Sequence, residues 1–316
     1  MKLSICIPTY NRKDKVKEQV KRIVDTGILS RSAEVELVVS DNCSEDKTYE
    51  GLYPMYGEVP GIRLFCQDKN LGLVGNLYFL FEEAKGEYIW FLSDDDPIVP
   101  DSISSILNVI SHSNLPFYLL NFKIEGNNYP YWCKNDDYLS LFTDNTWGGF
   151  GLLSIQILKK SKFENFYTNT IGSYNLCQPV AVSLYGLYYL KGMMCFDIIA
   201  ITHHAGDYSW QDRYLQVGSV YLYDSVRLLR CCGNEETYKI IIASLKRLNH
   251  FCELSFIYIM KTRDFKYVHK LYSDKLLFTV VVKTPIRVFV SKIKNIFKKR
   301  CWKTNLYFIS WHSYTS

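Results

Sequence analysis

The chain of 316 residues is long enough for one large α/β domain with an appendage, or for two small domains. Its hydrophobic content of 48% and aromatic content of 16% exclude a globally disordered protein. The net charge of +5 is uneven, because nine of the 37 Lys and Arg residues lie between Lys275 and the end, where no acidic residue occurs. The rest of the chain is mildly acidic, which argues against a body that binds nucleic acid.

Export and membrane-spanning segments are not predicted. The first five residues lead directly into a predicted strand, with no basic segment followed by a long apolar stretch. No apolar run reaches the roughly 18 residues that cross a bilayer. The ten cysteines show no framework spacing, so we expect reduced thiols in a cytoplasmic protein.

Apolar runs alternate with helical spacing through the first hundred residues. The runs at 3–7, 35–39, 62–66 and 88–92 are predicted strands. Helices are predicted where apolar side chains recur every three or four residues, namely at Val16, Val20, Ile23 and Val24, and at Leu77, Leu80, Phe81 and Ala84. This alternation predicts a parallel, doubly wound α/β sheet, which binds ligands beyond the carboxyl ends of its strands. The pattern is mixed from about 101 to 224 and helical from about 226.

Polar clusters follow three of the predicted strands, at residues 8–12, 40–46 and 93–96. The last contains Asp94, Asp95 and Asp96, and three consecutive carboxylates repel one another unless a cation neutralises them. Mg²⁺ or Mn²⁺ suits such oxygen ligands. In an extended backbone Asp94 and Asp96 would point to one side and Asp95 to the other. The alternative is a solvated acidic turn that precedes the next helix.

Four motifs, taken in order, resemble family 2 glycosyltransferases of the GT-A fold. They are residues 4–12, residues 38–44, Asn70-Leu71-Gly72, and Gly86-Glu87-Tyr88-Ile89 leading into the acidic cluster. The resemblance covers roughly residues 1 to 110 and implies a Rossmann-like, mostly parallel central sheet flanked by helices, with a C-terminal helical extension. A looser similarity, around 149–154 and 171–173, is to bacterial enzymes that add sugars such as abequose or rhamnose to surface polysaccharides.

The change to a helical pattern predicts a division of the chain near Asp224. Residues 1–224 would form the GT-A glycosyltransferase domain, with a nucleotide-sugar and metal half at 1–110 and an acceptor half at 111–224. Residues 225–316 would form a helical C-terminal region that ends in a basic tail.

The nucleotide-sugar site is expected from the motif positions. By resemblance, its residues are Pro8, Thr9, Arg12, Asp41, Asn70, Gly72 and Asp94. Asp41 would accept a hydrogen bond from the base, and Asn70 and Gly72 would lie in the loop beside the nucleotide. Cys43 replaces a glycine that is common in the second motif.

The metal ligands are expected in the acidic cluster. Asp95 falls on the metal-binding carboxylate of the family's Asp-any-Asp motif, and Asp96 would share the Mg²⁺ or Mn²⁺. Ser93 stands where many members carry the first Asp. Two registers of the motif therefore remain open, Ser93-Asp94-Asp95 and Asp94-Asp95-Asp96.

The resemblance implies inverting transfer of a sugar from a nucleoside diphosphate to a hydroxyl of a saccharide acceptor, which we expect to be lipid-linked. Such attack requires a general base near the metal site. The candidate carboxylates in the acceptor half are Asp136, Asp137, Asp144, Glu164 and Asp207. We select Asp207, because the polar run from His203 to Asp207 could line a site.

The basic tail has the pattern of an amphipathic helix. Between 286 and 300, one side of a helical wheel carries Ile286, Phe289, Val290, Ile293, Ile296 and Phe297, and the other carries Arg287, Lys292, Lys294, Lys298 and Lys299. This pattern favours peripheral association with the anionic inner face of the cell membrane. The alternative is a helix packed on the catalytic body with its lysines in water.

Two other enzyme classes with related sheets are disfavoured. A sugar nucleotidylyltransferase or a nicotinamide dehydrogenase would carry a glycine-rich loop after the first strand, and residues 8–12 contain no glycine. The alternative from another class is a non-catalytic nucleotide-sugar-binding or scaffold subunit of a polysaccharide assembly complex.

Overall fold

The structure is a computed structural model. It describes residues 1–127, 130–132, 147–170, 178–203, 216–231 and 235–286. In this part of the chain, seven strands form one sheet in the order β3-β2-β1-β4-β6-β5-β7. The strands are β1 (Leu3–Thr9), β2 (Val35–Asp41), β3 (Ile62–Cys66), β4 (Tyr88–Phe91), β5 (Phe117–Ile124), β6 (Gln156–Lys159) and β7 (Met193–His203).

Most neighbouring strands in the sheet are parallel. β1 lies between β2 and β4 and is parallel to both, β2 is parallel to β3, and β5 is parallel to β7. Only β6 reverses the direction, since it is antiparallel to β4 and to β5. The predicted mostly parallel sheet is confirmed, with one reversed strand that the sequence pattern does not reveal.

Helices connect the strands and form the C-terminal region. They are α1 (Lys13–Asp25), α2 (Ile28–Arg31), α3 (Thr48–Tyr56), α4 (Gly72–Glu83), α5 (Ser102–Ser113), α6 (Lys160–Thr170), α7 (Gln178–Leu184), α8 (Leu222–Cys231), α9 (Glu235–Leu245), α10 (Asn249–Thr262) and α11 (Phe265–Ser273). Short 3₁₀ turns occupy Trp147–Gly151 and Leu153–Ile155, and π-helical turns occupy Tyr185–Tyr189, Val217–Tyr221 and Thr279–Lys283.

The two helices predicted in the first hundred residues are confirmed, because their apolar stripes face the core. Val16, Val20 and Ile23 of α1 are fully buried. Leu77 and Leu80 of α4 are likewise inaccessible to solvent. A stripe with this spacing covers one side of a helix and packs on the flat apolar face of a sheet.

At the amino ends of the parallel strands, a buried carboxylate is held by neutral and basic partners. Glu36 of β2 accepts hydrogen bonds from the Ser4 hydroxyl at 2.6 Å and the Lys85 backbone N–H at 2.7 Å. Arg63 Nη1 lies 3.4 Å from its other oxygen. Gly86 packs so closely that a Cβ atom there would lie 2.5 Å from the Ser4 nitrogen. This edge of the sheet is closed and fully packed.

The C-terminal part of the described chain is helical, as predicted. Helical structure begins before 226, and Asp224, the last residue of the predicted catalytic domain, lies inside α8, where its carboxylate pairs with Lys270 at 2.7 Å. The domain boundary itself stays a prediction. In the part of the chain that the structure describes, none of the helices combines the length and apolar character needed to cross a membrane.

Candidate active site

Three loops meet at the carboxyl ends of β1, β2 and β4. These strands are neighbours and run parallel, so the residues that follow each of them emerge at one edge of the sheet. The loops contain Arg12 after β1, Asn42 after β2 and the acidic cluster 93–96 after β4. The three polar clusters of the sequence therefore follow neighbouring strands of one sheet.

Asp94 and Asp95 share one guanidinium. Arg12 Nη1 lies 2.9 Å from Asp94 Oδ1 and 2.5 Å from Asp95 Oδ2. The Thr9 hydroxyl donates to the other oxygen of Asp94 at 2.7 Å, and the Ser93 hydroxyl donates to Asp95 at 2.5 Å. Asp94 is buried, whereas 25% of the Asp95 side chain is exposed. Asp95 is therefore the member of the pair that a ligand in solvent can reach.

The protonation equilibria of Asp94 and Arg12 reflect this crowding. Burial raises the pKa of Asp94 to about 6, although Arg12 and the Thr9 hydroxyl favour its charged form. Burial of Arg12 disfavours its charge, but the carboxylates of Asp94 and Asp95 outweigh that effect and raise its pKa. One guanidinium thus only partly neutralises the two carboxylates.

The Asp96 side chain has different partners from those of Asp94 and Asp95. Its carboxylate accepts a hydrogen bond from the Ser154 hydroxyl at 2.5 Å and lies 2.8 Å from His203 Nδ1. It is buried, and its backbone carbonyl accepts a hydrogen bond from Gln19 Nε2 at 2.6 Å. The expected alternation, with Asp94 and Asp96 on one side, is wrong because β4 ends at Phe91 and the chain turns at 94–96 instead of remaining extended.

The segment after the acidic loop is fixed to the far strand of the sheet. The Thr202 backbone N–H donates to the Pro97 carbonyl and the Val99 N–H donates to the Ala200 carbonyl, both at 2.9 Å. Ile98 and Ile201 form an antiparallel bridge between these bonds. The acidic loop is therefore held from β7 as well as from β1 and α1.

The loop after β2 is closed by the Asp41 side chain. Asp41 accepts hydrogen bonds from the Ser44 backbone N–H at 3.2 Å, from the Ser44 hydroxyl, and from the Tyr49 N–H at 3.1 Å. Burial raises the pKa of Asp41, which these hydrogen bonds oppose. Within this turn Cys43 has a φ of 62°, a conformation that glycine adopts without strain.

Two asparagines tie the loops together. Asn42 Nδ2 donates to Asn70 Oδ1 at 2.9 Å, and Asn42 Oδ1 accepts from the Leu71 N–H at 2.8 Å. Asn11 accepts from the Glu45 N–H at 2.8 Å, and its own N–H donates to the Ser44 hydroxyl at 2.8 Å. Asn11 and Asn42 belong to the motifs in the sequence, but their structural role could not be derived without the fold.

Some of the predicted site residues lie in the described part of the chain, and others lie outside it. Pro8 and Thr9 are buried in β1, Asn70 and Gly72 are exposed at the start of α4, and Gly72 has a φ of 69°. The candidate bases Asp136, Asp137, Asp144 and Asp207 lie outside the described residues, and Glu164 is exposed on α6.

Gln19, Ser154 and His203 also hold the acidic loop, and the sequence did not predict this role for them. No local signal identifies them, because Ser154 and His203 lie 58 and 107 residues beyond Asp96.

The comparison with protein families decides the membership of the chain. The model of glycosyl transferase family 2 matches residues 4–172, which is more than half of the chain and includes all three loops. The chain belongs to this family. The predicted resemblance is thus confirmed.

Two curated relatives of this family 2 chain are bacterial transferases. The abequosyltransferase RfbV of Salmonella typhimurium is 29% identical over 195 residues, or 55% of this chain and 58% of the relative. A GalNAc(5)-diNAcBac-PP-undecaprenol beta-1,3-glucosyltransferase of Campylobacter jejuni is 29% identical over 107 residues, or 34% of this chain and 33% of the relative. The matched region therefore spans less than two thirds of the length of these relatives.

Solved structures with the same fold cover nearly the whole family 2 chain. The S. aureus protein TarS (residues 1–349, in complex with UDP-GlcNAc) has a TM-score of 0.58 at 16% identity, covering 89% of this chain and 80% of that one. The mannosyltransferase PcManGT of Pyrobaculum calidifontis, in complex with GDP-Man and Mn²⁺, has a TM-score of 0.57 at 12% identity, covering 94% and 88%. At such identities the likeness establishes the fold alone, and the predicted GT-A architecture is confirmed.

Proposed function

We propose that the chain is an inverting glycosyltransferase that moves a sugar from a nucleoside diphosphate to a hydroxyl of a saccharide acceptor. The observation that carries the proposal is the cluster in which Arg12 bridges Asp94 and Asp95 at the carboxyl ends of β1 and β4. A family 2 chain with this cluster has charged groups where the fold binds its ligand. The names of the curated relatives agree with such a transfer.

The loops around the cluster would bind the donor nucleotide. Asp41 would contact the base, and Pro8, Thr9 and Arg12 would line the pocket. Asp94, which is buried with its oxygens engaged by Thr9 and Arg12, would hold Arg12 beside the nucleotide. Asn70 and Gly72 would border the nucleotide, in a loop that Asn42 holds against β2. Arg12 would also favour binding of an anionic diphosphate, because a guanidinium recognises phosphate oxygens in a bidentate manner.

The acidic loop fits a divalent cation. The oxygens of Asp94 and Asp95 are hard ligands that already surround one positive centre, the Arg12 Nη1 atom, and Asp95 is exposed to solvent. Among the described residues, no group of three or more His, Cys, Asp or Glu side chains could hold a metal ion. Asp95 would therefore ligate Mg²⁺ or Mn²⁺ together with oxygens of the diphosphate and water. When bound, the ion would neutralise the charge that develops on the departing diphosphate.

Asp96 has a different role in this proposal. Both of its oxygens are engaged by Ser154 and His203, and it is buried. We therefore assign Asp96 to positioning of the acidic loop, and not to direct coordination beside Asp95. Its charge would still add to the negative potential of the loop.

Inversion requires the acceptor hydroxyl to attack the anomeric carbon from the face opposite the diphosphate. A carboxylate of the acceptor half would remove the hydroxyl proton, and Asp207 is our candidate for this base. The acceptor would be a lipid-linked saccharide in surface polysaccharide synthesis, as the name of the undecaprenol-dependent relative suggests. The basic tail would hold the enzyme at the inner face of the membrane.

Calorimetric titration tests this function. UDP, GDP, CDP and dTDP are titrated into the protein with and without Mn²⁺, beside Asp95→Ala and the matched control Asp101→Ala, whose exposed side chain makes no capping hydrogen bond. We expect one nucleotide to bind in a Mn²⁺-dependent manner, with loss of binding in Asp95→Ala only.

If no nucleotide binds under any condition, the proposed donor site is wrong. If a nucleotide binds but no sugar is transferred or hydrolysed from the corresponding donor, the alternative of a non-catalytic scaffold subunit is favoured.

A further inference from the structure

The C-terminal helices leave large apolar side chains in solvent. Six of them, which we call the C-terminal apolar surface, are between 40% and 79% exposed: Met260, Phe265, Tyr272, Phe278, Val282 and Ile286. They occur on three consecutive helical segments, α10, α11 and residues 277–286. The π-helical turn Thr279–Lys283 packs against α10, so the first and last of these segments are in contact. Single exposed apolar residues are common on proteins, but a series of this size indicates an interaction surface.

The last segment shows the pattern most clearly. Leu276, Val280 and Thr284 are buried against the other helices. Phe278, Val282 and Ile286, spaced four residues apart, are exposed. The side facing solvent therefore carries three apolar residues beside the exposed Lys283, whereas a solvated helix would carry mostly polar residues there.

The charges around these side chains are of one sign. The exposed charged residues between 257 and 286 are Lys261, Arg263, Lys266, Lys275 and Lys283. No Asp or Glu in this range is exposed. Lys283 lies over the Phe278 ring, with its Nζ atom 5.9 Å from the ring centroid. Cationic and apolar groups therefore occur side by side.

The acidic residues in this range are directed into the helical region. Asp264 caps α11 by accepting from the Tyr267 N–H at 3.0 Å. Asp274 is buried and accepts a hydrogen bond from the Tyr238 hydroxyl at 2.7 Å and another from Tyr223. Both carboxylates are engaged by these groups, and the five exposed cations of the range outnumber them.

We propose that the C-terminal apolar surface docks on an anionic lipid bilayer. Aromatic and aliphatic side chains would enter the interfacial region while the surrounding lysines contact anionic headgroups. This extends the proposed membrane association from the tail to the folded helices, and it rests on no step of the proposed sugar transfer.

Charge disfavours two other occupants of this surface. A second copy of the chain would bring five cations of each protomer against five of the other. Residues 287–316 contain seven Lys or Arg and no acidic residue, so they too would add positive charge to a positive surface. Anionic headgroups supply the missing charge.

Sedimentation of the full-length chain with lipid vesicles tests the proposal. One set of vesicles is phosphatidylcholine alone, and the other is phosphatidylcholine mixed with phosphatidylglycerol. The variant Phe265→Ser/Phe278→Ser removes two exposed rings, and Tyr53→Ser/Met55→Ser removes two exposed side chains of similar size on α3. We expect preferential binding to the mixed vesicles, weakened about tenfold or more in the first variant only. Lys266→Gln/Lys275→Gln should weaken binding to the mixed vesicles and leave binding to pure phosphatidylcholine unchanged.

Three outcomes would overturn the proposal. Equal vesicle binding by the wild type and Phe265→Ser/Phe278→Ser would exclude this surface. A lower melting temperature of that variant with unchanged vesicle binding would indicate that residues 287–316 cover the surface. A concentration-dependent dimer that the variant abolishes would assign the surface to a second copy. Nucleotide titration of the same proteins keeps this result separate from the donor-site test.

Discussion

The two ends of the parallel strands both bury carboxylates, but they treat them differently. At the amino ends, the single carboxylate of Glu36 meets a hydroxyl, a backbone N–H and Arg63. At the carboxyl ends, Asp94 and Asp95 share Arg12. The first arrangement satisfies the acid, whereas the second leaves excess negative charge at the edge where such sheets bind ligands.

The amino ends of the strands are also more tightly packed than the carboxyl ends. Gly86 has no room for one more carbon atom beside β1, so the amino end is tightly packed at this point. Asp95 is partly exposed, and a Cβ atom at Gly72, at the start of α4, would point into open space. The accessible loop with a surplus of negative charge lies at the end that we propose as the ligand site, whereas the other end holds a balanced and closely packed network.

Substitution of Asp95 is expected to have the largest effect, which is a loss of turnover. Asp95→Asn removes the exposed negative charge while keeping the shape, and turnover with the donor that calorimetry identifies should fall by about 100-fold or more. The free energy of unfolding should change by less than about 1 kcal/mol, because the ion pair with Arg12 is partly exposed. Asp25→Asn, which breaks an exposed pair with Lys21, is the control and should leave both quantities unchanged. Retained turnover in Asp95→Asn would remove this residue from the catalytic centre.

At the opposite end, Gly86→Ala should cost stability. Its Cβ atom would lie 2.5 Å from the Ser4 nitrogen and 2.8 Å from the Leu3 carbonyl carbon, so β1 must move. We expect a loss of about 3 kcal/mol in the free energy of unfolding, measured by urea titration. Gly151→Ala is the control, since its Cβ atom would meet Val180 at an ordinary 3.7 Å. An equally small effect of both substitutions would contradict the closed packing of this edge.

Glu36→Gln should weaken the same edge by a smaller amount. The amide oxygen can still accept from Ser4 and Lys85, but it is uncharged, and the amide NH2 group would replace the oxygen that faces Arg63. We expect a loss of about 2 kcal/mol in the free energy of unfolding with unchanged nucleotide affinity. Glu34→Gln, an exposed residue just before β2, provides the matched control for urea titration. Loss of nucleotide affinity without loss of stability would show that the two ends are coupled.

Much of the amino-terminal half could be predicted because its signals are local. The runs that form β1 to β4 are mostly apolar, and α1 and α4 have clear helical spacing. Neighbouring parallel strands then bring Thr9, Arg12 and Asp94 together without further information. The sequence pattern does not locate β5, β6 and β7, because it is mixed from about 101 to 224. β6 lies directly between a 3₁₀ turn and α6, with no turn residues to mark its ends.

The details of the acidic loop required the structure. An extended backbone would group Asp94 with Asp96, but the turn groups Asp94 with Asp95 and sends Asp96 to Ser154 and His203. Those two partners come from distant parts of the chain, and a hydroxyl and an imidazole carry no sequence signal for such a contact. Sequence therefore predicts which loops meet, but not how a turn distributes its side chains.

The smallest effect on stability is expected for two cysteines at the carboxyl edge of the sheet, Cys43 and Cys66. Cys43 has a φ of 62°, where a side chain is strained by roughly 1 kcal/mol. Glycine would relieve this strain, but it also gives the unfolded chain more conformational entropy. Cys43→Gly should therefore raise the free energy of unfolding by about 0.5 kcal/mol. Cys66 is the last residue of β3 and lies in an extended strand. Cys66→Gly should therefore lower the free energy of unfolding by about 0.5 to 1 kcal/mol. Urea titration of both variants checks the two signs. If both substitutions destabilise the protein, the left-handed turn after β2 does not strain Cys43. If the signs differ, the glycine common at this position of the family reflects backbone conformation, and the thiol is tolerated there because the Asp41 side chain and its hydrogen bonds to Ser44 and Tyr49 hold the turn.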